Sequence, residues 1–259
     1  MKVVLLAGGE GTRISEESGF RPKPMIEIGG MPIIWHIMKE YSFYGFNEFI
    51  ICAGYKQHMI KEWFDDYFLY TSDITFDFTR NEKQMIIHDK HTEPWIVTIV
   101  DTGYRTMTGS RIKMVQKYVG DETFMMTYGD GVCDVNMSKL LEFHRKHGKI
   151  ATLTSVVQKQ EKGVLNVSDD STVRAFREKR QGDGSLINAG YMVLEPRVFD
   201  YIPDGINAVF EKGTLEQLAD EGELMSYRHD GFWQCMDTLN EKNMLESLWS
   251  SGKAPWKVW

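Results

Sequence analysis

Three sets of residues in this 259-residue chain have the types and spacing to handle a polyphosphate. The run Lys2-Val3-Val4-Leu5-Leu6-Ala7 enters Gly8-Gly9-Glu10-Gly11-Thr12-Arg13, and Arg21-Pro22-Lys23-Pro24 follows. An apolar run stopping at closely spaced glycines predicts a buried strand that delivers a loop poor in Cβ atoms. The amide N–H groups of such a loop can close around phosphate oxygens. Arg13 and Lys23 add a planar fork and a point charge. Phosphoryl or nucleotidyl transfer is the chemistry such a set would serve. Two commoner phosphate loops are excluded by spacing. The third glycine of a G-x-G-x-x-G fingerprint would fall at Ile14, and Gly11-Thr12-Arg13 replaces the Gly-Lys-Ser/Thr of a Walker A loop. The third set is acidic: Asp130 in Tyr128-Gly129-Asp130-Gly131 and Asp237 in Met236-Asp237-Thr238. Mg2+ takes oxygen ligands and needs only one or two carboxylates beside phosphate oxygens, so this pair suffices. Two plainer roles stay open. Asp130 can serve a Gly-Asp-Gly turn, and Asp237 can cap a closing helix through Asp-Thr-Leu.

The elements that must position these residues alternate between apolar strands and amphipathic helices. Pro32 opens a helix carrying Ile33, Ile34, Ile37, Met38 and Tyr41 at helical spacing up to Gly45. Phe49 to Cys52 reads as a short buried strand, and Ile60, Trp63, Phe64 and Tyr67 mark a second helix. Strand, helix, strand, helix is the βαβ pattern of a parallel sheet with helices on its faces. Further on, Ile74 to His91 predicts an irregular strand pair, Trp95 to Val100 a strand, and Thr108 an N-cap for a helix through Ile112, Val115 and Tyr118. Thr123 to Thr127 predicts a central strand, which leaves Asp130 just past its carboxyl end, where open α/β sheets bind ligands. A helix over 138–147, a strand over 150–157 and a hairpin around Asp169-Asp170 follow. Strands over 188–194 and 224–229, a helix near 209–220 and a closing helix over 239–249 complete the series. The fold class is α/β, a Rossmann-like mixed, mostly parallel sheet flanked by helices with small β insertions.

Length and composition favour one elaborated domain spanning 1–259, with 42% hydrophobic and 26% charged residues. A formal charge of -7 without a basic stripe argues against nucleic acid as a partner, and concentrates the burden of binding an anion on Arg13, Lys23 and a divalent metal. Cys52, Cys133 and Cys235 are odd in number and far apart, which supports neither disulfides nor zinc and fits a reducing cytoplasm. No stretch approaches the roughly 20 apolar residues that cross a bilayer, so no membrane association is expected. The histidines, including His36 and His144, read as ordinary surface residues. Trp249, Trp256 and Trp259 read as packing for a terminal tail or a subunit contact.

Leu6-Ala7-Gly8-Gly9-x-Gly11-Thr12-Arg13 followed by Pro22-Lys23-Pro24-Met25 resembles the opening signature of the sugar-1-phosphate nucleotidylyltransferases. Glu93-Pro94-Trp95, Asp101-Thr102-Gly103, Met107-Thr108-Gly109, Thr127 to Gly131, Gly231-Phe232-Trp233-Gln234 and Met236-Asp237-Thr238-Leu239 are similar to the branch of that family that uses CTP and glucose 1-phosphate. The resemblance runs from Met1 to Trp259. It implies the nucleotide-diphospho-sugar transferase type of fold, with nucleotide binding mainly in the N-terminal part and sugar binding over about 150–240. It also implies transfer of a cytidylyl group by Mg2+-dependent in-line single displacement, and a homo-oligomer.

By the same resemblance Leu6, Ala7, Gly8, Gly9, Glu10, Gly11, Thr12, Arg13, Lys23, Thr106, Arg111 and Gly129 bind nucleotide. Arg13 and Lys23 are catalytic, Asp130 and Asp237 hold the metal, and Gly163, Glu178, Lys179 and Asn188 bind the sugar phosphate. An arginine fork can pair with cytosine O2 and N3, which makes Arg111 a candidate for base choice, with a solvated helix arginine as its plainer alternative. Arg180 stands where proline commonly follows the glutamate-lysine pair of that family, and Ala189 where glycine is usual. Both changes bear on loop shape more than on roles. Two other readings remain: thymidylyl or uridylyl transfer on the same fold, and a non-catalytic nucleotide-binding homologue.

Overall fold

The computed structural model describes residues 1–79, 84–88, 92–157, 164–167, 173–177 and 185–259. Runs such as Val3–Ala7 and Phe49–Ala53 are apolar at every position, so they must be covered on both faces. They lie in a seven-stranded sheet whose order from edge to edge is 224–228, 151–157, 186–194, 124–128, 2–7, 48–53, 96–101. Neighbours pair in parallel except around Leu186–Leu194, which is antiparallel to both strands beside it. The sheet is therefore mixed and mostly parallel, as the alternation of segments implies. Along the strand Lys2–Ala7, Val3, Leu5 and Ala7 face a core built with Ile33, Ile37 and Tyr41 of the helix Ile33–Phe43. Val4 and Leu6 face the opposite core with Ile112, Phe199 and Leu218.

Among the described residues four two-stranded pieces sit outside the sheet: Glu27–Ile28 with Met31–Pro32, Ile74–Asp77 with Gln84–Ile87, Gly131–Cys133 with Trp233–Cys235, and Val164–Val167 with Val173–Arg177. Asp169 and Asp170, expected in the turn of the last pair, lie outside the described residues.

Local departures have identifiable causes. Thr108 does not cap its helix, Thr108–Met114. Its hydroxyl instead donates to Glu211 at 2.8 Å and accepts the Phe210 N–H at 2.9 Å, tying the helix start to a distant segment. The helix expected near 209–220 is interrupted: a π-type turn over Phe210–Thr214 contains Gly213 at φ 89°, and Leu215–Asp220 is regular. Pro32 precedes the first helical residue rather than opening the helix.

His36 and His144 are buried, against the surface position expected of them. His36 is the hub of the chain's end. Its Nε2 donates to the Ile28 carbonyl at 2.8 Å while Nδ1 accepts from the Trp256 indole at 3.3 Å, and the rings of Trp35, Trp249 and Trp256 pack edge-on around it. Both ring nitrogens are satisfied only in the neutral tautomer, and burial lowers the pKa to about 4. The tryptophan tail thus packs on its own chain.

Two outcomes follow from this cluster. Trp256 is fully buried, so Trp256→Ala should cost about 3–5 kcal/mol in a urea titration. A histidine with a depressed pKa stabilises fully above its unfolded value, near 6.5, and that stability is lost as pH falls toward about 4. Urea midpoints measured across this interval should therefore decline, and the decline should flatten in His36→Gln.

Candidate functional site

The strands Lys2–Ala7 and Phe124–Tyr128 run parallel with Leu6 beside Tyr128, so the loops leaving their carboxyl ends emerge together. The Gly129 N–H donates to the Leu6 carbonyl at 2.9 Å and fastens one loop to the other. Gly11 takes φ 65°, a left-handed conformation that glycine adopts without a Cβ penalty, and this turns the chain into the short helix Thr12–Ile14. A cavity of about 370 Å³ opens between the two loops, large enough for a nucleotide. Leu6, Ala7, Gly8, Gly9, Gly11, Arg13, Lys23, Thr106, Arg111, Gly129 and Asp130, all proposed from sequence, line it. Glu10 and Thr12 are exposed on the same loop without forming its wall.

Lys23 is buried and opens a 3-10 turn over Lys23–Met25, rather than lying on the extended backbone its flanking prolines suggest. Of the two flanking prolines only Pro22 is extended. Lys23 Nζ lies 2.6 Å from Asp130 Oδ2 and 2.6 Å from Asp237 Oδ1. The two carboxylates therefore converge on one point at the cavity rim although their sequence positions are remote. Arg13 Nη1 bridges the other oxygen of Asp237 at 2.7 Å while its side chain stays 73% exposed, free to swing toward a ligand. Burial alone would lower the Lys23 pKa, but the two acids reverse that and hold it above the usual lysine value. Burial likewise opposes ionisation of Asp237, yet Lys23 and Arg13 outweigh it and hold this carboxyl below its usual value.

The plainer role for Asp237 fails on geometry. The closing helix Leu239–Ser250 is capped by Thr238 and Glu241 in a reciprocal capping box, which leaves the Asp237 carboxylate for the two cations. Among the described residues no group of three or more His, Cys, Asp or Glu is arranged to hold a metal. Asp130 and Asp237 nonetheless fit a divalent cation that shares its coordination with phosphate: they are hard oxygen donors, and the Lys23 ammonium already stands as a cation between them.

Arg111 is neither solvated nor free. It is buried, and Nη1 and Nη2 reach Thr102 Oγ1 at 2.7 Å and the carbonyls of Gly103, Gly8 and Tyr104 at 2.8, 3.0 and 3.2 Å. Nη1 also reaches the Ala53 carbonyl at 3.4 Å, so the four Nη hydrogens are shared among five protein acceptors and none is left to pair with O2 and N3 of a base. A Cβ on Gly8 would overlap this guanidinium, which is why the loop begins with glycine there.

Asn188 lies on the strand Leu186–Leu194, where its side-chain oxygen accepts the Gly190 N–H at 2.8 Å, and it is not among the residues lining the cavity. Gly163, Glu178 and Lys179 lie outside the described residues. Sequence reasoning passed over Tyr128 and Thr108 as wall residues, and over Glu211, which bonds the hydroxyls of both. Tyr128 sits inside the Tyr-Gly-Asp-Gly segment and was legible there, but nothing in the sequence pairs it with Glu211.

Residues 2–246 match the family model described as nucleotidyl transferase. Glucose-1-phosphate cytidylyltransferases of Salmonella typhi and Salmonella typhimurium are each 53% identical to the chain over 260 residues, with all of both chains covered. The fold is that of UDP-glucose pyrophosphorylase solved with UDP-glucose, at TM-score 0.69 and 17% identity over 97% of this chain and 98% of that one. Among the described residues no helix is long and apolar enough to cross a membrane. The chain belongs to the nucleotidyl transferase family, in the branch of the glucose-1-phosphate cytidylyltransferases.

Proposed function

We propose that the chain transfers the cytidylyl group of CTP to glucose 1-phosphate, giving CDP-glucose and pyrophosphate. The observation that carries this reading is the convergence of Lys23, Asp130 and Asp237 at the rim of a glycine-built cavity. The substrate pair is supported by the relatives at 53% identity.

The glycine loop offers its N–H groups to the triphosphate, and Thr106 and Gly129 line the same cavity. Lys23 meets the α-phosphate and the incoming sugar phosphate, and Arg13, exposed at the mouth, neutralises the departing pyrophosphate. The attacking oxygen of glucose 1-phosphate is already anionic, so no general base is required, and the displacement proceeds in line without a covalent intermediate. Asp130 and Asp237 would hold Mg2+, which when bound supplies charge neutralisation across the phosphate oxygens. Glu178, Lys179, Asn188 and Gly163 take the sugar phosphate, within a 150–240 region devoted mainly to the sugar while the preceding part handles the nucleotide. Arg111 supports the cavity floor by tying three backbone segments together.

Lys23→Ala should lower turnover by about 100-fold or more while the circular dichroism spectrum is retained, whereas near-normal pyrophosphate release would remove Lys23 from the reaction. Pyrophosphate release assayed across CTP, UTP, TTP and GTP with several sugar 1-phosphates and Mg2+ should be greatest for CTP with glucose 1-phosphate. Since Arg111 braces backbone, Arg111→Lys should depress release with every nucleotide alike. A selective loss with CTP would instead make it the reader of the base.

A further inference from the structure

Glu40 is a carboxyl on the helix Ile33–Phe43 that is buried in the apolar core, has no cationic partner among the described residues and plays no part in the chemistry above. Its surroundings assign it a task. The short strand Gly131–Cys133, which begins immediately after Asp130, pairs on one side with Trp233–Cys235, the strand that leads into Asp237. The ladder bonds fall on even-numbered residues: Met236 N–H to the Asp130 carbonyl at 2.8 Å, and Asp134 N–H to the Phe232 carbonyl at 3.1 Å. By strand alternation the Gly131 carbonyl and the Cys133 N–H face away from that partner, and among the described residues no strand pairs with that side.

Unpaired, each would carry the cost of a buried backbone group, of order 1–3 kcal/mol. Side chains meet both. Cys133 N–H donates to Glu40 Oε1 at 3.2 Å, and Tyr191 Oη lies 2.8 Å from the Gly131 carbonyl and 2.8 Å from Glu40 Oε2. A carbonyl can only accept, so the single phenolic hydrogen goes to Gly131, and the phenol oxygen must then accept from Oε2. Glu40 is thereby required to be the uncharged acid, Oε2–H donating to Tyr191, and burial pushes its carboxyl in the same direction, well above the usual range. The like charge of Asp134 favours the same form.

We propose that Glu40 and Tyr191 are positioning residues for Asp130 and Asp237, an acid–phenol pair standing where a neighbouring strand would otherwise bond the free edge of residues 131–133. One donor and one acceptor are presented to that edge, the pattern a backbone would present, and the two ladder-linked acids are held at a fixed separation. The inference rests on the reading that these acids take a divalent cation.

The test compares Glu40→Gln, Glu40→Leu and Tyr191→Phe in the full-length protein, reading the Mg2+ concentration that half-saturates pyrophosphate release. An amide reproduces the neutral acid, donating to Tyr191 and accepting from Cys133, so Glu40→Gln should match the parent. Glu40→Leu and Tyr191→Phe should each raise the half-saturating Mg2+ by about 10- to 100-fold, with kcat at saturating metal little changed. The infrared carbonyl band of a protonated carboxyl should be present at neutral pH in the parent and absent from Glu40→Gln. Should Glu40→Leu not fold, Tyr191→Phe and the infrared band decide. A Glu40→Gln protein as impaired as Glu40→Leu, or folded Leu and Phe variants with unaltered Mg2+ dependence, would overturn the proposal. Asp237→Asn, assayed alongside, separates the two ideas: full turnover there sinks the metal reading itself, whatever the Glu40 variants do.

Discussion

Everything at the cavity rim depends on a three-body contact in which one ammonium separates two carboxylates. Asp130 and Asp237 each approach Lys23 Nζ to 2.6 Å, and two like charges so near one another at a half-buried rim would repel by on the order of a few kcal/mol without a cation between them. Lys23 removes that repulsion in the ligand-free protein, and Arg13 supports Asp237 from its outer side. The charges gathered at this rim are thus kept near electrical balance. The cations proposed to serve the reaction are the same ones that let the acids stand together.

The scaffold around this contact explains why the arrangement can be tight. Two parallel strands set the glycine loop and the Asp130 loop side by side, and a two-stranded ladder carries Asp237 to the same place. Arg111 gathers the carbonyls of Gly8, Gly103 and Tyr104 from segments that no strand pairing connects. Glu40 and Tyr191 bond the free edge of residues 131–133. Irregular backbone at the cavity is therefore anchored by side chains wherever sheet bonding ends.

Much of this was legible in the residues. The glycine loop, its cations and the two acids stand out because chemistry restricts which residue types can do the task, and the parallel sheet follows from apolar runs too uniform to have a wet face. What was not legible depends on partners distant in the chain. Thr108 has the local look of a cap, but its hydroxyl is claimed by Phe210 and Glu211. His36 looks like a polar residue on an amphipathic helix until Trp256 arrives to occupy its Nδ1. Arg111 carries no mark distinguishing a fork offered to a ligand from one given to five protein acceptors. Glu40, between Lys39 and Tyr41, reads as an ordinary helix glutamate, because its significance lies in the unpaired edge of a strand some ninety residues away.

The separation of these partners along the chain also constrains when the protein can begin to work. Lys23 meets Asp237 across 214 residues and Trp256 meets His36 across 220. At synthesis rates of about 5–20 residues per second, roughly 10 to 40 s pass between emergence of the lysine and emergence of its second acid. Throughout that interval the glycine loop lacks the second of its two acids, and the segment behind it lacks its aromatic cover. The rim contact is therefore completed late, and a chain cut short before Asp237 carries the glycine loop without the second acid that meets Lys23.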